Sequence, residues 1–361
     1  MRKRRGSKRV TLADVAVAAN VSAITVSRAL RDPGVVSADA MQRIEQAVAE
    51  LGYVPDLAAR ALASQRTNVV GVLVPSVTNN VFADVLRGIY NGTESTPYHV
   101  QLGNTRYSAL GEEQLLRLFL NQRPAGLIVA GIDQSKTSRK LLDEASCPVV
   151  QIMEIGPDPI DMMIGFSHQA AARAAAEHLL AKGYRRIGFL GARMDPRTQR
   201  RLRGYRAALA AKALDDDGLV VTTPRPSTVT LGAELLGDLL ARRPDADAVF
   251  CNNDDIALGV LFECQRRNIR VPDEFGICGF NDLEMAATAY PSLTSVRTHR
   301  ERMGSEGIAM LIAAIEGRPP ERKVVDLGFE IVARESTSRR QDRPEPRDLE
   351  ASDLLAARPC A

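Results

Sequence analysis

The chain has 361 residues with 47 Lys+Arg against 44 Asp+Glu, a formal net charge of +3; 45% of its residues are hydrophobic and 25% charged. These values exclude a disordered, collagen-like or disulfide-framework chain, and the length points to two or three domains. The charge is unevenly placed: residues 1–68 hold 11 Lys+Arg against 6 Asp+Glu, net +5, which leaves 36 against 38, net −2, for the remainder. Six of the basic residues lie between Arg2 and Arg9. Such an excess fits a polyanion partner or a solvated basic arm. No apolar run approaches the roughly 18–20 residues that span a bilayer, so no membrane partner is expected. Val10–Val21 is interrupted by Asp14 and Asn20 and makes no signal-peptide core. Cys147, Cys251, Cys264, Cys278 and Cys360 are scattered without a Cys-x-x-Cys pair, which fits a reducing cytoplasm.

Residues 11–68 read as short helices. Leu12, Val15, Ala16 and Ala19 recur at helical spacing behind a Thr11 N-cap. Asn20-Val21 makes a tight turn, Ser22 caps a second helix over Ala23–Leu30, and Asp32-Pro33-Gly34 breaks it. Ser37 caps a third helix with the stripe Met41, Ile44, Val48 and Leu51, closed by Gly52. Pro55 opens a fourth over Asp56–Ser64, with Arg60 facing outward.

From Val69 the pattern alternates. Apolar runs at Val69–Val74, His99–Leu102, Gly126–Ala130, Val149–Met153, Ile187–Leu190, Leu219–Val221, Ala248–Cys251 and Gly276–Gly279 read as eight strands. Helical stretches intervene near 79–94, 110–121, 136–145, 169–182, 200–213, 230–242 and 256–267. This predicts two doubly wound parallel sheets with a break in the aperiodic loop Gly156–Gly165. A helix over Glu301–Glu316 and strand-like Val324–Leu327 and Glu330–Val332 follow. From Ser336 the composition reads as disordered.

Two short helices joined by a tight turn, with small Ala16 at their crossing, make a helix-turn-helix; an ordinary three-helix bundle is the competing reading. In a major groove, Ser22, Thr25 and Ser27 supply hydroxyls for phosphates, Arg28 reaches a guanine edge or a phosphate, and Thr11 is a further DNA-binding candidate. Ala23 and Ile24 offer only apolar contact, as to a thymine methyl.

Through Val10-Thr11-Leu12-x-Asp14-Val15-Ala16 and Val21-Ser22-x-x-Thr25-Val26-Ser27-Arg28 the chain resembles the lac repressor family of bacterial transcription regulators. The resemblance continues through Glu50-Leu51-Gly52-Tyr53-x-Pro55 and Ala59-Arg60-x-Leu62 to about Arg334. It implies a hinge helix whose Leu62, paired with that of a second subunit, wedges into the minor groove, which requires a homodimer and a palindromic double-stranded operator. Subgroup stretches such as Val81-Phe82-Ala83-Asp84 and Leu190-Gly191-Ala192-Arg193-x-Asp195-x-Arg197-Thr198 are similar to gluconate-operon repressors and imply a sugar-acid effector such as gluconate.

The expected organisation is therefore an all-α helix-turn-helix head (1–54), a hinge helix and linker (55–68), an α/β core of periplasmic-binding-protein-like fold (69–335) and a disordered tail (336–361). Within the core, a first subdomain would take about 69–165 and 298–320, and a second about 166–297 and 321–335. Loops after the strands supply effector candidates: Ser76, Asn79, Phe82, Asn253, Asp254 and Asn281 for hydroxyls or packing, and Arg193, Arg197, Arg201 and Arg300 to clamp a carboxylate. By family position Arg201, Asn253 and Asn281 touch effector, and Asn281 stands where relatives commonly carry Asp. Each arginine alone is equally readable as a solvated helix face. No P-loop, G-x-S-x-G or H-E-x-x-H is present, and the four histidines lack metal-ligand spacing, so no enzyme, metal or cofactor is expected. A repressor released by its effector is the expected function; a different sugar, co-repression, or a non-regulatory sugar-acid-binding protein are the alternatives. The leucines of the tail, Leu349, Leu354 and Leu355, are interrupted by prolines, which favours a dimer over a tetramer.

Overall fold

The computed structural model describes residues 10–30, 33–53 and 67–339. The Arg2–Arg9 arm, the expected hinge helix with Arg60 and Leu62, and residues 340–361 lie outside them. The chain divides into two compact units, Met1–Thr67 and Asn68–Ala361, and each is taken by itself.

The first unit holds α1 (Leu12–Ala18), α2 (Ala23–Ala29) and α3 (Ala38–Leu51). All three expected caps form. Thr11 and Asp14 make a reciprocal capping box, with Thr11 N donating to Asp14 Oδ2 at 2.8 Å. Ser22 Oγ accepts from Thr25 N at 3.1 Å and Ser37 Oγ from Ala40 N at 3.3 Å. Asn20 takes φ 52° at the turn, which lets α1 and α2 meet at 101°. Val15, Ala16, Ala19, Val26, Ala29, Ile44, Ala47 and Tyr53 form the core beneath them.

The second unit runs β1 (Val69–Val74), α4 (Asn80–Thr93), β2 (His99–Asn104), α5 (Ala109–Asn121), β3 (Gly126–Ala130), α6 (Lys136–Asp143), β4 (Val149–Ile152) and β5 (Met162–Gly165). It continues with α7 (His168–Ala181), β6 (Ile187–Ala192), α8 (Pro196–Ala210), β7 (Val220–Thr223), α9 (Val229–Arg242), β8 (Ala248–Cys251) and α10 (Asp254–Arg266). Then come β9 (Gly276–Asn281), α11 (Glu284–Thr288), β10 (Thr294–Thr298), α12 (Arg300–Ile315), β11 (Val324–Asp326) and β12 (Phe329–Val332). Two six-stranded sheets result, ordered β11-β5-β4-β3-β1-β2 and β12-β10-β9-β8-β6-β7. All pairings are parallel except β10 with β12. Each sheet with its helices is one lobe. Close helix crossings lock the layers: α12 lies against α4 where Gly304 and Gly88 face each other's backbone, and a Cβ at Gly304 would run into the Val85 carbonyl oxygen.

Four expectations are corrected. Among the described residues there are twelve strands in this unit, against eight strands and two strand-like segments expected; the additional ones are β5 and β10. Met162–Gly165, expected as loop, is a wholly buried strand of the first sheet, because a strand covered on both faces carries no alternation to read. The expectation that 321–335 belongs wholly to the second subdomain fails at Val324–Asp326, which pairs with β5 and completes the first sheet. The chain then crosses at Gly328, whose φ is 65°, so only Phe329–Val332 joins the second sheet. Lastly, residues 336–339 are packed rather than disordered. The Ser336 hydroxyl donates to the Ile277 carbonyl at 2.6 Å, Thr337 Oγ1 lies 2.9 Å from His178 Nε2, and Arg339 stacks on Tyr184 at 4.0 Å.

Candidate functional site

In the head, three predicted DNA-contact residues already have work inside the fold. The Thr11 hydroxyl donates to Asp14 at 2.7 Å, and Ser22 Oγ and Thr25 Oγ1 are 2.8 Å apart. Ser27 is half-buried beside the core residue Val26. The outer face of α2 is left to Ala23, Ile24 and Arg28, all exposed, with the Ile24 side chain 66% accessible. Ile24 therefore takes little part in the core of the head, and its side chain is accessible to a partner.

In the core, loops at the carboxyl ends of both sheets converge on a cleft. It is lined by Asn79, Phe82 and Tyr107 of the first lobe, Arg193, Asp195, Arg197, Thr198, Arg201, Asn252, Asn253 and Asn281 of the second, and Met153 between them. The free space among these side chains is about 40 Å³. Seven of the ten predicted effector residues are therefore assembled here: Asn79, Phe82, Arg193, Arg197, Arg201, Asn253 and Asn281.

Arg201 is buried, 7% exposed, with its guanidinium 3.8 Å over the Phe280 ring. Its Nε donates to His168 Nδ1 at 3.1 Å, and its Nη1 donates to the Asn252 carbonyl. A guanidinium can only donate, so Nδ1 accepts, and the His168 proton resides on Nε2, which donates to the Met153 carbonyl at 2.9 Å. Burial, then the neighbouring Arg201, holds the His168 pKa well below its ordinary value, which keeps the ring neutral as this arrangement requires. Burial pushes the Arg201 guanidinium down to about 10. No carboxylate lies within ion-pair distance of it among the described residues. Such a cation is costly without an anion and is the natural seat for one.

Arg193 and Arg197 line the mouth. Arg193 lies 4.0 Å over the Tyr107 ring; Arg197 lies 5.6 Å over Phe82 and pairs with Asp195 at 3.2 Å. Burial alone would raise the Asp195 pKa, but Arg197 and the Thr198 N–H outweigh it and the carboxyl is held low. Asn79 caps α4 through Val81 N at 3.1 Å and also donates to the Tyr107 hydroxyl at 3.3 Å. Asn253 caps α10 through Ile256 N at 3.1 Å.

Three candidates lie elsewhere. Ser76 turns its hydroxyl back to Thr78 N and Asn79 N, both at 3.2 Å. Asp254 is fully buried, accepting from Ser295 Oγ at 2.6 Å and Leu283 N at 2.7 Å, and so fastens β10 and the β9–α11 loop. Arg300 does not face the cleft. Its Nε and Nη2 hold Asp84 of the first lobe at 3.0 and 2.8 Å, while Nη1 donates to the Asn281 carbonyl. It thereby fixes Asn281, which carries the unusual φ of 108°, with its side chain in the cleft. Tyr107, Asp195, Thr198 and Asn252 were missed. Asp195 had a readable signal, since Asp before Pro marks an N-cap with Pro at the first helical position, and α8 does start there, at Pro196. Tyr107 had none, because its role comes from an arginine of the opposite lobe.

A second tie crosses between the lobes. Arg200 of α8 makes a bidentate pair with Asp133 beyond β3, at 2.6 and 2.7 Å, and lies 3.5 Å from Glu154 beyond β4. Burial raises the Glu154 pKa despite that neighbour.

A helix-turn-helix with an apolar outward residue, together with a two-lobed unit closing on a cationic cleft, defines a ligand-responsive DNA-binding regulator. A model for "Bacterial regulatory proteins, lacI family" matches residues 11–56, and one for a "Periplasmic binding protein-like domain" matches residues 176–337. The HTH-type transcriptional regulator GntR of Pseudomonas aeruginosa is 42% identical over 333 residues, 92% of this chain and 97% of its own. A LacI family regulator structure from Silicibacter pomeroyi is 36% identical with a TM-score of 0.86, covering 91% of this chain and 100% of that one. The transcription regulator GntR of Chromobacterium violaceum is 42% identical with a TM-score of 0.72, covering 74% and 99%. The chain belongs to the lac repressor family of bacterial transcriptional regulators and is not an enzyme.

Proposed function

We propose that this regulator is a cytoplasmic homodimer that represses sugar-acid catabolic genes from a palindromic operator and leaves it when an acid of gluconate type enters the cleft. The observation that carries the effector class is Arg201, a buried cation with no carboxylate partner among the described residues, lining a cleft whose mouth holds Arg193 and Arg197. Asn281 supports it: where a carboxylate would repel an anion, an amide presents a donor and an acceptor without charge. The resemblance to gluconate-operon repressors points the same way. Residues 55–68 are proposed as the hinge helix, with Arg60 on phosphate and Leu62 as the minor-groove wedge. Ala23, Ile24 and Arg28 are proposed for base edges, and Thr11, Ser22, Thr25 and Ser27 for the backbone.

An effector shifts the equilibrium only if it binds the two lobe arrangements unequally. The test is a gel shift of the full chain on operator DNA selected from a random pool, titrated with gluconate, 2-ketogluconate, galactonate and glucuronate, and with glucose and galactose as neutral sugars. Release by one of the acids, lost in Arg201→Met, is expected. Tighter DNA binding with every acid would make the ligand a co-repressor, and response to neutral sugars alone would overturn the acid reading.

A further inference from the structure

We propose that Tyr107 is a partition fixing the length of ligand the cleft admits, and that the space behind it is a latent subsite for a neutral sugar unit. The inference rests on the cleft being the effector site, but not on the effector being an acid.

Beyond the cleft of about 40 Å³ lies a second cavity of about 260 Å³. Tyr107, Asp195 and Arg197 line both, so these three side chains are the wall between them. Asp195 and Arg197 are tied to each other and to the start of α8. Tyr107 is the member of the wall that comes from the opposite lobe.

Its position is tightly set. The hydroxyl accepts from Asn79, and the ring face lies under Arg193 at 4.0 Å and under Arg197 at 6.0 Å. The backbone reinforces this from both sides of the cleft. Arg106 and Tyr107 take φ of 54° and 56°, and across from them Arg193 and Met194 take 67° and 49°. Two consecutive left-handed residues on each loop are uncommon outside glycine, and strain of this kind persists only where the surrounding structure fixes it.

The chemistry of the second cavity says what it would take. Thr105, Ser108, Glu112, Asp133, Gln134 and Asp195 surround it; among the described residues Arg197 is the one cation lining it, and it is already paired with Asp195. A second anion is disfavoured there, while hydroxyl groups find donors and acceptors. The ligand matching both spaces is an aldonic acid bearing a neutral glycosyl group, with the carboxylate at Arg201 and the sugar beyond Tyr107. As folded, the ring excludes it.

The test is titration calorimetry on the full chain and its Tyr107→Ala, Tyr107→Phe and Arg193→Ala variants. The probes are gluconate and lactobionate as short and long acids, and galactose and lactose as short and long neutral sugars. The unsubstituted protein is expected to bind the short member of its preferred class at least about tenfold more tightly than the long one. Tyr107→Ala should gain the long member by about tenfold or more and lose several-fold on the short one. Tyr107→Phe should still exclude the long member, since the ring and not the hydroxyl forms the wall. Arg193→Ala, which frees the ring, should show a smaller gain and stands in if the alanine variant fails to fold. Gain of lactose instead of lactobionate would support the partition while refuting the sugar-acid reading. Equal binding of short and long ligands before substitution, or no gain of either long ligand in a folded variant that still binds operator, would overturn the proposal.

Discussion

Replacing Asp133 with Asn removes one charge from the tie between the lobes and keeps the side chain's size. Arg200 makes two bonds to that carboxylate at 2.6 and 2.7 Å, and the two side chains are 18% and 35% exposed. Bonds to charged groups contribute about 1.5–3 kcal/mol when sheltered, and exposed ion pairs about 0–1 kcal/mol. The partial exposure places this pair between the two, at about 1–1.5 kcal/mol. The pair joins residues of the two lobes, so any movement that parts them must give up its bonds. One factor of ten corresponds to about 1.4 kcal/mol, so an effector that binds the closed form should bind Asp133→Asn roughly 5–10-fold more weakly. Arg200→Met should cost more, because it leaves Glu154 and Asp133 facing each other's charge without a cation. Calorimetric titration of the acid in about 0.1 M salt measures the first effect, and raising the salt should shrink it. A dissociation constant within twofold of the unsubstituted protein's, with the fold intact, would refute the view that this pair helps hold the lobes together.

Three further outcomes are expected. Gly304→Ala sets a Cβ against the Val85 carbonyl and must part α12 from α4, so a loss of about 1–3 kcal/mol and a fall in Tm of several degrees should appear in a thermal melt. Ile24→Ala should leave the melt unchanged but weaken operator binding by about tenfold; an equal loss on random DNA would assign Ile24 no part in base selection. Asp254 has its pKa raised by burial to about 6 from an ordinary 3.8. Because the folded state then binds the proton more tightly, this carboxyl's contribution is most favourable at low pH and is lost as pH rises through about 4 to 6. Urea titrations at pH 4.5 and 7.5 should therefore show the stability of the native chain relative to Asp254→Asn falling by about 2 kcal/mol at the higher pH. A difference independent of pH would place the charged form at no cost.

What could be read from sequence follows the range of the interactions. Thr11, Ser22 and Ser37 were legible as caps because a cap is made by residues three apart. Val69–Val74, Gly126–Ala130 and Ala248–Cys251 were legible to the residue, being apolar runs bounded by turn or polar positions. Met162–Gly165 was not, since four buried residues behind Pro157 and Pro159 carry neither period. The lobe to which β11 belongs was equally hidden, because edge pairing is decided by a strand about 160 positions earlier. In the cleft, a loop that follows a strand identifies where ligands bind but not which side chain faces them. Arg201 and Arg300 both looked like carboxylate clamps, and only their partners separate them. One rests against a neutral imidazole, and the other is already satisfied by Asp84.

The late arrival of β11 and α12 bears on how the protein is made. The first sheet has its five other strands by Gly165, yet the edge strand Val324–Asp326 and the helix over it, Arg300–Ile315, come only after the entire second lobe has been threaded. At ribosomal rates of about 5–20 residues per second, the nascent first sheet waits roughly 8–32 s with one face and one edge unprotected. An uncovered parallel edge is a template for foreign strands. A chain that ends anywhere between residues 165 and 324 therefore lacks β11, and its first lobe stays unfinished however much of the second has been made.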